Sequence, residues 1–418
     1  MRKSAAVLGL VVFSASPVNA QTNPPVLTLE QAVARVRVAG FEVRMARADA
    51  ALASADATTA RSLLRPQIGL SANALDANET QLGMPIARQA YGAATLSIPL
   101  YTPANSANAR AARETARVAT IGISSTTNDA VFAVISAYRR VQLGDAILEA
   151  RNVAVADQQH HLQVTEERVT AGKAARYVTF RDSAALANAK QAQEDAAVDR
   201  DQAANDLEAL LDADNSPLSV QPLTRVPFEG SRAALLAQAL RQRPDLLAAE
   251  QRVLAARTSI AAAKAAYLPA ATLTAQSYNG NSSPALGRSG GEVQLTASLP
   301  IVDGGSRAAA QARARAQYDR AQALRDQTRA GVVRDVENAW RELQAADRNF
   351  ATASAVSADA QEQLRLANLR ESAGKAIDIE VLDALSVAAG ARETIARSLA
   401  RYDLAVSALQ HALGDASL

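Results

Sequence analysis

The chain has 418 residues, 44 of them basic and 42 acidic, and no cysteine. That rules out disulfides, thiolate metal sites, thiol nucleophiles and a cysteine-borne lipid anchor, and the balanced charge offers no basic face of the kind nucleic acid needs. Alanine is abundant and aromatics make up only 4%, a composition suited to long helices packed through small side chains.

Residues 1–20 read as an export signal. Arg2 and Lys3 form a positive start, Ala5 to Ala15 is apolar, and Val18-Asn19-Ala20 supplies a small-residue cleavage site before Gln21. The apolar run is too short for a spanning helix, and no later segment reaches the roughly 18 consecutive apolar residues such a helix needs. Loss of Arg2 and Lys3 with the signal brings the 44 basic residues to 42, equal to the acidic ones.

The mature chain is expected to begin with a helix over about 28–64, followed by strands at about 66–75 and 89–99, a long helix over about 103–168 and a further helix over about 176–212. The order then repeats: a helix over about 231–267, strands at about 269–278 and 291–300, a long helix over about 304–370 and a last helix over about 377–413. A segment with Pro217, Pro222 and Pro227 joins the halves. The expected organisation is a signal at 1–20, a first repeat over 21–215, a linker over 216–230 and a second repeat over 231–418.

The duplication rests on landmarks in matching order. Gly40-Phe41-Glu42-Val43 matches Arg243-Pro244-Asp245-Leu246, Leu64-Arg65-Pro66 matches Tyr267-Leu268-Pro269, and Ser97-Ile98-Pro99-Leu100 matches Ser298-Leu299-Pro300-Ile301. Arg168 to Lys173 matches Arg370 to Lys375. Between them an apolar seam at coiled-coil spacing recurs, with Val131, Val134, Tyr138, Val141 and Leu148 corresponding to Val333, Val336, Trp340, Leu343 and Phe350. A helix of about 65 residues is close to 100 Å long, a length used in bundles, coiled coils and tubes. Thr102 and Asp303 are the expected capping side chains of the two long helices.

Each strand alternates. Ile68, Leu70, Ala72 and Ala74 share one face against Gln67, Gly69, Ser71 and Asn73, and Val293, Leu295, Ala297 and Leu299 oppose Gln294, Thr296 and Ser298. Ala94, Leu96 and Ile98 alternate with Ala93, Thr95 and Ser97, while Leu273 and Ala275 alternate with Thr272, Thr274 and Gln276. About ten residues per strand suffice to cross a bilayer at a tilt. A soluble antiparallel sheet on a helical core alternates identically, so alternation leaves both arrangements open. If the strands do cross lipid, four cannot close a barrel, and three chains are needed to supply twelve. The loops Asp76 to Arg88 and Asn279 to Gly290 then become the outer hairpin ends.

These residues resemble the TolC-like outer-membrane efflux family over almost the whole mature chain. Arg243-Pro244-Asp245-Leu246, Tyr267-Leu268-Pro269, Ser298-Leu299-Pro300 with Asp303-Gly304-Gly305, and Gly374 leading to Val381-Leu382-Asp383-Ala384 carry the likeness through their order and spacing. The resemblance implies a mainly α protein with membrane β strands. In it a duplicated helix-strand-strand-helix-helix unit builds a long coiled-coil tunnel, and each chain gives four strands to a trimeric twelve-stranded barrel. It further implies a homotrimer in the outer membrane that docks onto a periplasmic adaptor and an inner-membrane pump of the RND or ABC type. No catalytic group, cofactor or bound metal is implied, and small molecules are the expected cargo, with metal ions or a secreted protein as alternatives. The rival class is a soluble periplasmic coiled-coil adaptor or spacer.

By the same resemblance, the turns holding Gly172-Lys173 and Gly374-Lys375 are adaptor-contact tips; glycine there also serves simply to end a helix in the left-handed conformation. Glu380 and Asp383, on one helical face at i and i+3, are the expected acidic ring of the tunnel entrance, although acids also suit any helix N-terminus. Arg176, Arg181 and Asp378 are the candidate entrance latch. No tyrosine precedes Gly374, and Ala376 stands where the family has a basic residue. His160-His161 and His411 are read as solvated surface positions rather than metal ligands.

Overall fold

The computed structural model describes residues 26–75, 80–81, 84–85, 89–212, 219–225, 227–281 and 289–414. The export signal at 1–20, Pro217 of the linker and the middles of both hairpin loops lie outside the described residues. The first half runs β1 (Val26–Leu27), α1 (Leu29–Ala39), α2 (Phe41–Ser62), β2 (Gln67–Leu75), β3 (Thr80–Gln81), β4 (Met84–Pro85), β5 (Gln89–Tyr101), α3 (Pro103–Thr170) and α4 (Tyr177–Leu211). The second runs β6 (Ser219–Val220), α5 (Arg232–Gln242), α6 (Pro244–Ala265), β7 (Ala270–Asn281), β8 (Ser289–Ser298), α7 (Ser306–Ser372) and α8 (Asp378–Leu413).

The helices expected over 28–64 and 231–267 are each two helices. The first breaks at Gly40, whose backbone leaves the helical region at φ −54°, ψ 134° and where a Cβ would lie 2.6 Å from the Val36 carbonyl oxygen. The second breaks at Arg243 (φ −64°, ψ 120°), because Pro244 drives the residue before it out of the α region. Entry into α1 is fixed by a reciprocal cap: the Gln31 amide donates to Thr28 Oγ1 at 3.2 Å and the Thr28 amide donates to Gln31 Oε1 at 3.0 Å.

The long helices α3 and α7 span 68 and 67 residues, each about 100 Å at 1.5 Å per residue. α2 and α6 pack along their strand-proximal parts and α4 and α8 along their far parts. Asp303 caps α7 as expected, accepting from the amides of Gly305 (3.1 Å) and Arg307 (2.9 Å). Its hydrogen bonds from the Arg307 side chain and backbone hold its carboxyl well below the usual carboxylate range. Thr102 makes no side-chain cap hydrogen bond, and Pro103 occupies the first helical position, where its missing amide costs nothing.

Two related cores sit midway along the helices. In the first, Val131, Val134, Tyr138 and Val141 of α3 are buried against Val33, Val36 and Val43 of α1 and α2 and Leu207 and Leu211 of α4. In the second, Val336 and Leu343 of α7 pack with Leu235, Leu246, Tyr402 and Leu409. The seam shifts slightly here: Val332, not Val333, is the buried valine, and Leu148, Trp340 and Phe350 are half-buried. One 18-residue window in α3 reaches a mean hydropathy of 1.3, enough by length and composition to cross a membrane. Val131, Val134, Ile135 and Val141 of this helix instead face the protein core.

The strands β2-β5-β7-β8 form one fully antiparallel sheet in that order. Register aligns the alternation of all four. Ile68, Leu96, Ala275 and Val293 fall in one cross-strand row, and Gln67, Ser97, Thr274 and Gln294 in the row beside it on the opposite face. The apolar face is uncovered by the chain: Leu70 is 84% exposed, Ile68 78% and Val293 73%. The sheet is therefore not laid on the helical core, and its apolar side is available to something other than the protein's own helices. β2 and β8 are open edges.

Candidate functional site

At the far end of the bundle, two turns reverse the chain from α3 to α4 and from α7 to α8. They are built alike. Gly172 and Gly374 adopt φ +70° and +67°, and the Lys173 and Lys375 amides donate back to the Arg168 and Arg370 carbonyls, each at 2.8 Å. The bonds satisfy carbonyls that the helix ends would otherwise leave open. Gly172, Lys173, Gly374 and Lys375 all lie exposed at this tip.

Glu380 and Asp383 sit on the first turns of α8, exposed and on one face. They line an open groove of about 510 Å³ together with Asp359, Glu362 and Arg370 of α7. Arg370 approaches Glu380 at 3.4 Å, and both side chains are largely in solvent, so the pair holds little energy. Asp359 and Glu362 went unnoticed in the sequence, where they are one i, i+3 acidic pair among many on a helix whose facing side cannot be read locally.

The latch candidates part company. Arg181 of α4 pairs directly with Asp378 at the start of α8, joining the two helical hairpins of one chain. Arg176 is exposed at the start of α4, and neither it nor Asp383 has an ion pair among those described.

Beneath the Arg181–Asp378 pair lies a cluster around His161, a residue expected in solvent. His160 is exposed, but His161 is buried, 4% exposed, inside the angle of α3, α4 and α8. Adjacent residues on a helix point about 100° apart, so when one of the pair faces water the other turns toward the neighbouring helices. Its Nε2 lies 3.1 Å from Asp378 Oδ1 and 3.7 Å from Asp182 Oδ2, and its Nδ1 lies 3.8 Å from Glu371 Oε2. Asp182 is fully buried. Arg168 donates to Glu371 at 2.9 Å, and Thr165 Oγ1 donates to Asp378 Oδ1 at 3.4 Å. Burial pushes the His161 imidazole below its ordinary value, outweighing the upward pull of Glu371 and Asp182. Beside the cluster a cavity of about 440 Å³ is lined by His160, His161, Arg168, Lys173 and Glu371.

Three features now stand together: an uncovered apolar sheet face, helices about 100 Å long, and a charged tip at their far end. Comparison with known proteins agrees with that plan. OprJ of Pseudomonas aeruginosa, an outer membrane protein, is 29% identical over 288 residues, 66% of this chain and 57% of its own length. SrpC of Pseudomonas putida, the outer membrane protein of a solvent efflux pump, is 30% identical over 222 residues, 50% of this chain and 44% of its own. The matches thus span about half the length of these relatives. The crystal structure of the outer membrane protein VceC from Vibrio cholerae superposes with a TM-score of 0.78 at 20% identity, covering 92% of this chain and 96% of that one, a likeness of fold. A family profile, that of the outer membrane efflux proteins, matches residues 33–213 and again 235–415. With most of its length covered by that double match, the chain belongs to the outer membrane efflux protein family.

Proposed function

We propose that the protein is the outer-membrane duct of a tripartite efflux pump. It works as a homotrimer that passively conducts small toxic compounds from an inner-membrane transporter and a periplasmic adaptor to the exterior. The observation that carries this reading is the sheet: Ile68, Leu96, Ala275 and Val293 line up across all four strands and Ile98, Leu273 and Leu295 across three, Ile68, Leu70, Val293 and Leu295 stand exposed on that face, and both edges are open. Lipid accepts the apolar face, and only neighbouring copies can satisfy the edges. Threefold symmetry closes twelve strands into one barrel, and the long helices continue it as a tunnel on the periplasmic side. SrpC, named for a solvent efflux pump, supports small apolar compounds as cargo. No catalytic role is proposed.

In this arrangement Glu380 and Asp383, with Asp359 and Glu362 beside them, form the acidic ring at the tunnel entrance, where carboxylates favour cations. The Arg181–Asp378 pair acts as a latch between hairpins, and the Gly172-Lys173 and Gly374-Lys375 turns meet the adaptor. The test is conductance across a planar bilayer, comparing the protein with a Glu380→Ala, Asp383→Ala double variant. Small cation-selective openings whose selectivity falls in the variant are expected. A folded preparation that stays soluble without detergent and never conducts refutes the duct and favours a soluble coiled-coil protein.

A further inference from the structure

The buried His161 cluster does not fit a purely structural ion-pair network. Both carboxylate oxygens of Asp182 are buried without a hydrogen-bond donor, and so is His161 Nε2, which points between Asp182 and Asp378. The tautomer that carries its proton on Nδ1, on the side of Glu371, directs its Nε2 lone pair at two carboxylates. Those three acceptors repel one another unless a cation stands among them. The guanidinium groups nearby do not take that place. Arg181 touches the opposite oxygen of Asp378 and lies 3.8 Å from the opposite oxygen of Asp182, while Arg168 is engaged with Glu371.

We infer that His161 Nε2, Asp182 Oδ2 and Asp378 Oδ1 form a site for a divalent cation of the zinc class, which pins the α3/α4 hairpin to the start of α8. One ligating atom from each residue lies within 4.8 Å of the other two. Ligands about 2.0–2.2 Å from a tetrahedral zinc lie about 3.3 Å from each other, and the 3.1 Å and 3.7 Å separations here bracket that value. One imidazole with two carboxylates suits zinc and its transition-metal neighbours; magnesium and calcium prefer oxygen alone. The surroundings match a working outer shell. Glu371 faces the non-ligating Nδ1 at 3.8 Å and is itself held by Arg168, and Arg181 braces both aspartates through the oxygens the ion does not use. The three ligands come from α3, α4 and α8, so the ion fastens the α3/α4 hairpin to α8, to which no turn joins it at this end.

Binding of the ion stands independently of the duct. The experiment is calorimetric titration of Zn²⁺ into chelator-stripped, detergent-solubilised full-length protein, with His161→Ala, Asp182→Asn, His160→Ala and His411→Ala alongside. One ion per chain is expected, weakened by about 100-fold or more in His161→Ala and Asp182→Asn and unchanged in the other two. Asp182→Asn keeps the side-chain shape, and circular dichroism identifies any variant that has merely unfolded. No stoichiometric binding, or binding indifferent to both His161→Ala and Asp182→Asn, overturns the site. Conductance of the same samples separates the two ideas: a protein that binds the ion yet never conducts refutes the duct and leaves the site standing.

Discussion

Val293 and Gln294 are neighbours in the middle of β8, yet they face opposite sides of the sheet, Val293 in the row of Ile68, Leu96 and Ala275 and Gln294 in that of Gln67, Ser97 and Thr274. Replacing each by lysine makes a matched pair, because edge position and distance from the strand ends are nearly the same for both. On the lipid face at the bilayer midplane a lysine costs about 2–4 kcal/mol, while in a wet interior its cost is close to zero. In a trimer the penalty recurs in every chain, giving about 6–12 kcal/mol for Val293→Lys against almost none for Gln294→Lys. The assay is guanidinium unfolding of trimers reconstituted in vesicles, read by the shift from trimer to monomer on a gel. If this face met only water, as the isolated chain leaves it at 73% exposure of Val293, both variants would lie within about 0.5 kcal/mol of the parent. That equality would refute the barrel.

Other consequences can be measured on the same preparation. The Tyr138 hydroxyl donates to the Leu27 carbonyl at 2.8 Å and accepts from the Gln221 amide at 3.1 Å, whereas among the described residues Tyr402 accepts from the Phe228 amide alone. Tyr138→Phe should therefore cost about 1–3 kcal/mol in denaturant unfolding and Tyr402→Phe less; the reverse order contradicts the assignment. Gly374→Ala and Gly172→Ala meet no atom within 4 Å, so the left-handed backbone alone should cost about 1–2 kcal/mol each, and Gly374→Asn should lose less than Gly374→Ala in thermal melting. Burial raises the Asp403 carboxyl above its ordinary value despite Arg139 at 3.4 Å. Its contribution to stability is full at pH values below the unfolded carboxylate range and is lost as pH rises through the raised folded value. Asp403→Asn should therefore gain melting temperature relative to the parent as pH rises from about 4 to 7, and a difference independent of pH excludes this account.

What could be read from the sequence was what repeats locally. The strand faces follow from alternation, and the long helices from the seam of Val131, Val134, Tyr138 and Val141, because both depend on residues a few positions apart. The break at Gly40 was passed over because an isolated glycine inside an apolar period is compatible with an unbroken helix; only its approach to the Val36 carbonyl decides the matter. His161 was misplaced for a different reason. Its partners Asp182, Glu371 and Asp378 stand on three other stretches of chain, and no local pattern says which face of α3 they will cover. The shift from Val333 to Val332 has the same origin, since the buried face of α7 is chosen by α5, α6 and α8 packing against it.

The two open strand edges bear on how the protein reaches its membrane. Each of β2 and β8 leaves a row of backbone amides and carbonyls without partners inside the chain, and hydrocarbon charges several kcal/mol for every such group. A lone copy therefore has no resting place in the bilayer. In the proposed trimer, insertion and the meeting of copies become a single event, and its rate rises more steeply than in proportion to the amount of chain. Until that meeting, Ile68, Leu70, Val293 and Leu295 stay in water on a sheet with sticky edges, the sort of surface that chaperones shield and proteases find. On this proposal, lowering synthesis should deplete the inserted form faster than the total, and the newly made chain is where the protein is most vulnerable.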